Sequence, residues 1–169
     1  AFKPPISSEA MVARNTKNPY PQEAKDEPAT RRRSVYMFHK RVVPFPLLQA
    51  FDKPDAQRSC GRRDQTTVAP QALALLNDQL VRAWADEFAL RLTQESGDDN
   101  ERLVERAFNI ALTRSPTPDE KLASLEFIKS QTTARRSREQ NHPAAEIRRA
   151  AVADYCQTIF SLNEFIYVD

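Results

Sequence analysis

Residues 99–129 read DNERLVERAFNIALTRSPTPDEKLASLEFIK, and their pattern decides the fold class. In the first half Leu103, Val104, Ala107, Phe108, Ile110 and Ala111 mark one side of an amphipathic helix over about 99–112. The second half holds Thr117-Pro118-Asp119-Glu120. A Thr can cap a helix, Pro suits its first position, and Glu three residues after the cap completes the start signal. Leu122, Leu125, Phe127 and Ile128 then continue an apolar side, so the stretch is a helix, a polar loop and the opening of a second helix.

Upstream, Leu80, Trp84, Phe88 and Leu92 recur every four residues, and Val81 and Ala85 widen the stripe. That predicts a helix from about Asp78 to Thr93 with this face buried, broken at Ser96, Gly97 and Asp98. Before it, Pro70 in a first turn and Ala72, Leu73, Leu75 and Leu76 predict about two apolar turns ending at Asn77 and Asp78. Downstream, QTTARRSREQ loses the apolar face and reads as a frayed end and solvated loop, Arg135, Arg136 and Arg138 included. Asn141 or His142 before Pro143 opens the next helix, with Ile147, Ala151, Tyr155, Thr158, Ile159 and Leu162 inward and Asn163 as its stop. The tail NEFIYVD is expected to pack back on the bundle. The fold class is therefore mainly α: an antiparallel helical bundle over 66–169.

The first 65 residues differ. Eight of the 12 prolines fall by Pro54, and proline removes a backbone donor and fixes φ, so residues 1–65 are expected to form an extended Pro-rich arm and loop. At most a short strand fits there, from Ser34 to Val43, ended by Pro44 and Pro46. Residues 47–65 read as a short helical turn and a polar loop. This arm is basic, with 13 Lys/Arg against 7 Asp/Glu, whereas residues 66–169 hold 12 against 16. The basic arm is expected to lie against the acidic body or a neighbouring domain.

Composition removes several classes of function. Only Gly61 and Gly97 are present, too few for a dinucleotide turn or a P-loop. Two Cys and two His cannot build a four-ligand structural zinc site, and covalent haem attachment lacks its motif, so no cofactor and no metal is expected in this chain. Arg clusters without interleaved stacking aromatics argue against nucleic acid. No apolar run approaches the roughly 20 residues of a membrane span. The start at Ala1, with neither initiator Met nor signal peptide, suggests a mature or excised piece of something longer. Cys60 and Cys156 could pair in an oxidising compartment, and a buried free thiol at Cys156 is the alternative.

Candidate chemistry concentrates in the first part. His39 could act as a general base if a carboxylate orients it, although a partly buried His bonded to backbone is the favoured reading. His142 reads as a cap. Asp52, Asp55, Arg58, Arg62, Arg63 and Asp64 alternate in sign, a pattern that can hold an anionic or polyhydroxyl ligand through bidentate bonds. They can also pin a loop by pairing with each other and with orphan helix carbonyls, and the structural role is favoured. Trp84 and the Phe residues sit at core spacing. The candidate binding residues are thus His39, Asp52, Asp55, Arg62, Arg63 and Asp64, with no catalytic residue assigned.

RRRSVYMFHKRVVPFPLLQAFDKPDAQRSCGRRDQTTVAPQALALLND, the loop ALTRSPTPDE and the ending DYCQTIFSLNEFIYVD together resemble the planctomycete-type domain of unknown function 1553, from about Phe2 to Asp169. The resemblance implies the C-terminal portion of a larger exported protein, at the cell envelope or periplasm, in which companion domains, often one like cytochrome c, precede this one. It implies no catalytic residues. Two roles follow as expectations: a non-catalytic structural or interaction module whose partners are the preceding domains, or a domain that binds or processes carbohydrate or another anionic polymer.

Overall fold

The computed structural model describes residues 32–39, 45–51 and 68–166. The chain divides into two units, Ala1–Gln71 and Ala72–Asp169. In the first, Ser34–Tyr36 form a 3-10 turn closed by the Met37 amide on the Ser34 carbonyl at 3.1 Å. The expected strand from Ser34 is corrected here: only Met37 among 34–39 carries a bridge, and residues 40–43 lie outside the described residues. The turn wins because a 3-10 bond needs only local partners, whereas a strand needs a neighbour along its length. Helix α1, Pro46–Ala50, begins with Pro46 in its first turn, where a missing N–H costs nothing.

Helix α2 spans Val68–Asn77. Helix α3, Gln79–Ser96, starts at an Asp78 cap whose carboxylate accepts the Leu80 and Val81 amides, and ends at Gly97 with φ +59°. That left-handed conformation favours glycine and stops the helix. Helix α4, Asn100–Ala111, has the same kind of start, with the Asp99 carboxylate accepting from the Glu101 and Arg102 amides. Helix α5, Pro118–Arg138, opens on a full capping box between Thr117 and Glu120. Helix α6 runs over Ala144–Phe160 and a one-turn helix α7 over Asn163–Ile166.

Three boundaries differ from expectation. Helix α5 continues through the polar stretch to Arg138 instead of fraying, because Arg135 turns back onto α6 and makes bonds there. Helix α6 begins at Ala144 with Pro143 itself at the cap position, its carbonyl accepting the Glu146 and Ile147 amides, so neither Asn141 nor His142 serves as a side-chain cap. Asn163 starts α7 instead of ending α6.

The four long helices form the expected bundle in cyclic order: α3 packs on α4, α4 on α5, α5 on α6, and α6 most extensively on α3. Consecutive helices run back along each other, as ties between them show: Arg106 to Glu95, Lys121 to Glu105, and Tyr155 to Ser124. The core contains Leu92, Leu103, Val104, Phe108, Ile128, Val152, Cys156 and Ile159. On α3 the fully buried line is Val81, Ala85, Ala89 and Leu92, while Leu80, Trp84 and Phe88 are only half-buried. Ala85 and Ala89, both 0% exposed, leave room for the close approach of α6, which displaces the larger side chains toward the flank. On α6, Val152, Ala153 and Cys156 join the core, and Leu162 is exposed instead of inward.

Candidate functional site

The sequence-predicted site falls mostly beyond view. His39 is exposed, and Asp52, Asp55, Arg62, Arg63 and Asp64 lie outside the described residues, as does Cys60. Cys156 is a free thiol, fully buried, and burial pushes its pKa up. His142 stands exposed, its Nδ1 3.3 Å from Glu146 Oε2.

Among the polar clusters that the described residues bring together are two centres and one groove. The first centre surrounds Asp154 on α6, the lone acid in the run AAVADYCQTIF. Arg135 donates from Nε and Nη2 to its two carboxylate oxygens, at 2.7 and 2.8 Å, and Arg82 of α3 donates to Oδ1 from Nη1. Burial acts to raise the Asp154 pKa, but the bonds from Arg135 and Arg82 outweigh it and hold the carboxyl below its usual range. The same bonds raise the Arg135 pKa. A carboxylate shared by guanidiniums from two neighbouring helices fixes α3, α5 and α6 in register.

The second centre is Arg114, in the loop between α4 and α5. Its Nη1 and Nη2 donate to the Glu120 carboxylate at 2.8 and 2.7 Å, and its Nε and Nη2 donate to the Glu164 carboxylate, both at 2.7 Å. Nη1 also donates to the Ser115 carbonyl at 3.2 Å, so all five N–H groups of the guanidinium are used. Its Cζ lies 5.3 Å from the centre of the Phe108 ring, within cation–π range. Arg114 holds Glu120 down to a pKa of about 2, with the Thr117 amide helping, and lowers Glu164 as well. Thr113 just before it has φ 57°, costly for a β-branched residue, and this places Arg114 over the end of α4.

Between α3 and α6 a groove of about 340 Å³ is lined by Asp86, Glu87, Leu90, Glu146, Arg149 and Ala150. Three carboxylates against one guanidinium can accept hydrogen bonds from hydroxyl or ammonium groups and repel an anionic polymer. Among the described residues no group of His, Cys, Asp and Glu could hold a metal ion, and no helix is long and apolar enough to cross a membrane.

A family model described as PSD1: Protein of unknown function (DUF1553) matches residues 3–128, well over half of the chain. The chain belongs to this family. The DUF1553 match contains Arg114 and Glu120 and ends inside α5 at Ile128, so Arg135, Asp154 and Glu164 fall beyond it. The closing DYCQTIFSLNEFIYVD also lies past the matched residues. No curated protein and no solved structure matches the chain.

Sequence reasoning missed both centres. Asp154 left a usable signal, a single charge within the apolar middle of α6. Arg114 left a weaker one, an Arg three residues before a capping Thr.

Proposed function

We propose that this DUF1553 domain is a structural and interaction module of a larger exported protein, with no chemistry of its own. The carrying observation is how its ionic groups are spent: Arg82, Arg135 and Asp154 in one centre, Arg114 and Glu120 in the other, each closing on a partner from another element of the bundle. Side chains held this way fix a scaffold. Helix α2 supports the interaction part, because it has no charged residue and leaves Leu73 61% and Leu76 50% exposed. The basic first part, through Arg62 and Arg63, supplies charge for recognising the preceding domain.

The test is calorimetric titration of the full chain with the separately produced preceding domain. Measurable affinity that falls at least about tenfold in the Arg62→Glu, Arg63→Glu double variant is expected. Absence of affinity in the wild type sinks the proposal. The carbohydrate alternative draws on the α3–α6 groove, whose carboxylates suit a neutral polyhydroxyl ligand better than an anionic one. Saccharide binding that Glu146→Ala abolishes would favour it over the scaffold role.

A further inference from the structure

We infer that the end of the chain over 161–166 is a latched strap, which opens by itself while the four-helix body stays folded and thereby uncovers an aromatic face on α3 and α6. The body beneath it carries Phe88 and Phe160, stacked with ring centres 5.7 Å apart. Phe165 of α7 lies against Phe160, the ring centres 4.9 Å apart and the planes tilted by 31°. What keeps α7 there is slight. It has four residues, none of them buried, and a single turn is not stable without outside contacts. Its backbone ties are local, the Leu162 amide to the Ile159 carbonyl and the Phe165 amide to the Leu162 carbonyl.

Among the described residues, the further hold is the half-buried Ile166, the Phe165 ring and the two bonds from Arg114 to Glu164. That ion pair is the latch. Its side chains are 35% and 47% exposed, so salt screens it and its worth is modest. Arg114 itself does not depend on Glu164 for its place, because Glu120, the Ser115 carbonyl and Phe108 hold it. The receiving side is therefore preformed and the strap is the moving part. An element with few buried contacts and an exposed ionic tie belongs to the low-stability end of a folded protein. This device is independent of the scaffold proposal and would exist whatever partner the domain has.

Hydrogen exchange of the full chain, followed by mass spectrometry, tests it. Amides over 161–166 should exchange at least about tenfold faster than those of the α3 and α6 core. Glu164→Gln, which sets an amide N–H against the guanidinium, should speed the 161–166 amides about two- to fivefold and leave α3–α6 unchanged. Raising the salt concentration should do the same in the wild type and have no further effect in Glu164→Gln. Unchanged 161–166 exchange in this variant, or acceleration spreading over α3 and α6, overturns the inference. Should the variant not fold, the salt series on the wild type decides in the same way.

Discussion

Helices α2 and α4 make an instructive pair. Helix α2 has no charged side chain in ten residues, yet Leu73 and Leu76 face solvent. Helix α4 alternates Glu101, Arg102, Glu105 and Arg106 with Leu103, Val104, Ala107 and Phe108, and buries all four apolar side chains. Among the described side chains, the more apolar helix leaves two of its three leucines exposed and buries only the third, Leu75. Burial follows from where apolar residues fall around the turn: α4 gathers them on one face that α3 and α5 can cover, whereas α2 spreads them around. The charged face of α4 then gains ties that α2 lacks, Arg106 to Glu95 and Lys121 to Glu101 and Glu105.

The contrast breaks most visibly at Leu103, which is 0% exposed. Leu103→Ala should cost about 3 kcal/mol in urea unfolding, through lost burial and the cavity left behind. Next comes the ionic framework. Asp154→Ala leaves Arg82 and Arg135 facing each other without their shared carboxylate, and should cost about 2 kcal/mol by the same measurement. The start of α4 ranks third: Asp99→Ala removes the acceptor for two amides and should cost about 1 kcal/mol, with helix loss visible by circular dichroism.

Acid sharpens the comparison on the α4–α5 loop. The Glu120 carboxyl has a lower pKa in the folded chain, about 2, than its ordinary 4.5. Its contribution is complete above the ordinary value and is lost as pH falls toward the folded one. Melting temperature should therefore decline between about pH 5 and pH 2.5, and decline less in Glu120→Gln, by about 2 °C. An identical decline in both would remove Glu120 from the account. The smallest effect belongs to α2: Leu73→Ala should stay within about 0.5 kcal/mol, and a cost near that of Leu103→Ala would mean that α2 is covered after all.

Most of the helical order was legible in sequence because its signals are local. Thr117 with Glu120, Asp78, Asp99 and Gly97 each act on amides or dihedrals within a few residues, and each ends or starts a helix where its chemistry requires. What stayed hidden depends on partners far along the chain. QTTARRSREQ looks like a loop until Asp154, 19 residues after Arg135, is brought against it. The four-residue spacing of Leu80, Trp84 and Phe88 located the correct helix but the wrong centre of its buried face. That choice rested on α6 and on the small volume of Ala85 and Ala89, which no window along α3 contains. The binding candidates other than His39 sit outside the described residues.

Cys156 lies in the core, 0% exposed, with its thiol pKa pushed up by burial. Thiolate is the reactive form, so this sulfur is shielded twice, from contact with reagents and from ionisation. Alkylating agents and oxidants should reach it only when α6 leaves the bundle. The residue thus works as a chemical clock: the rate at which its mass tag appears, followed peptide by peptide, times the opening of the whole body and separates it from the faster breathing of the chain's end.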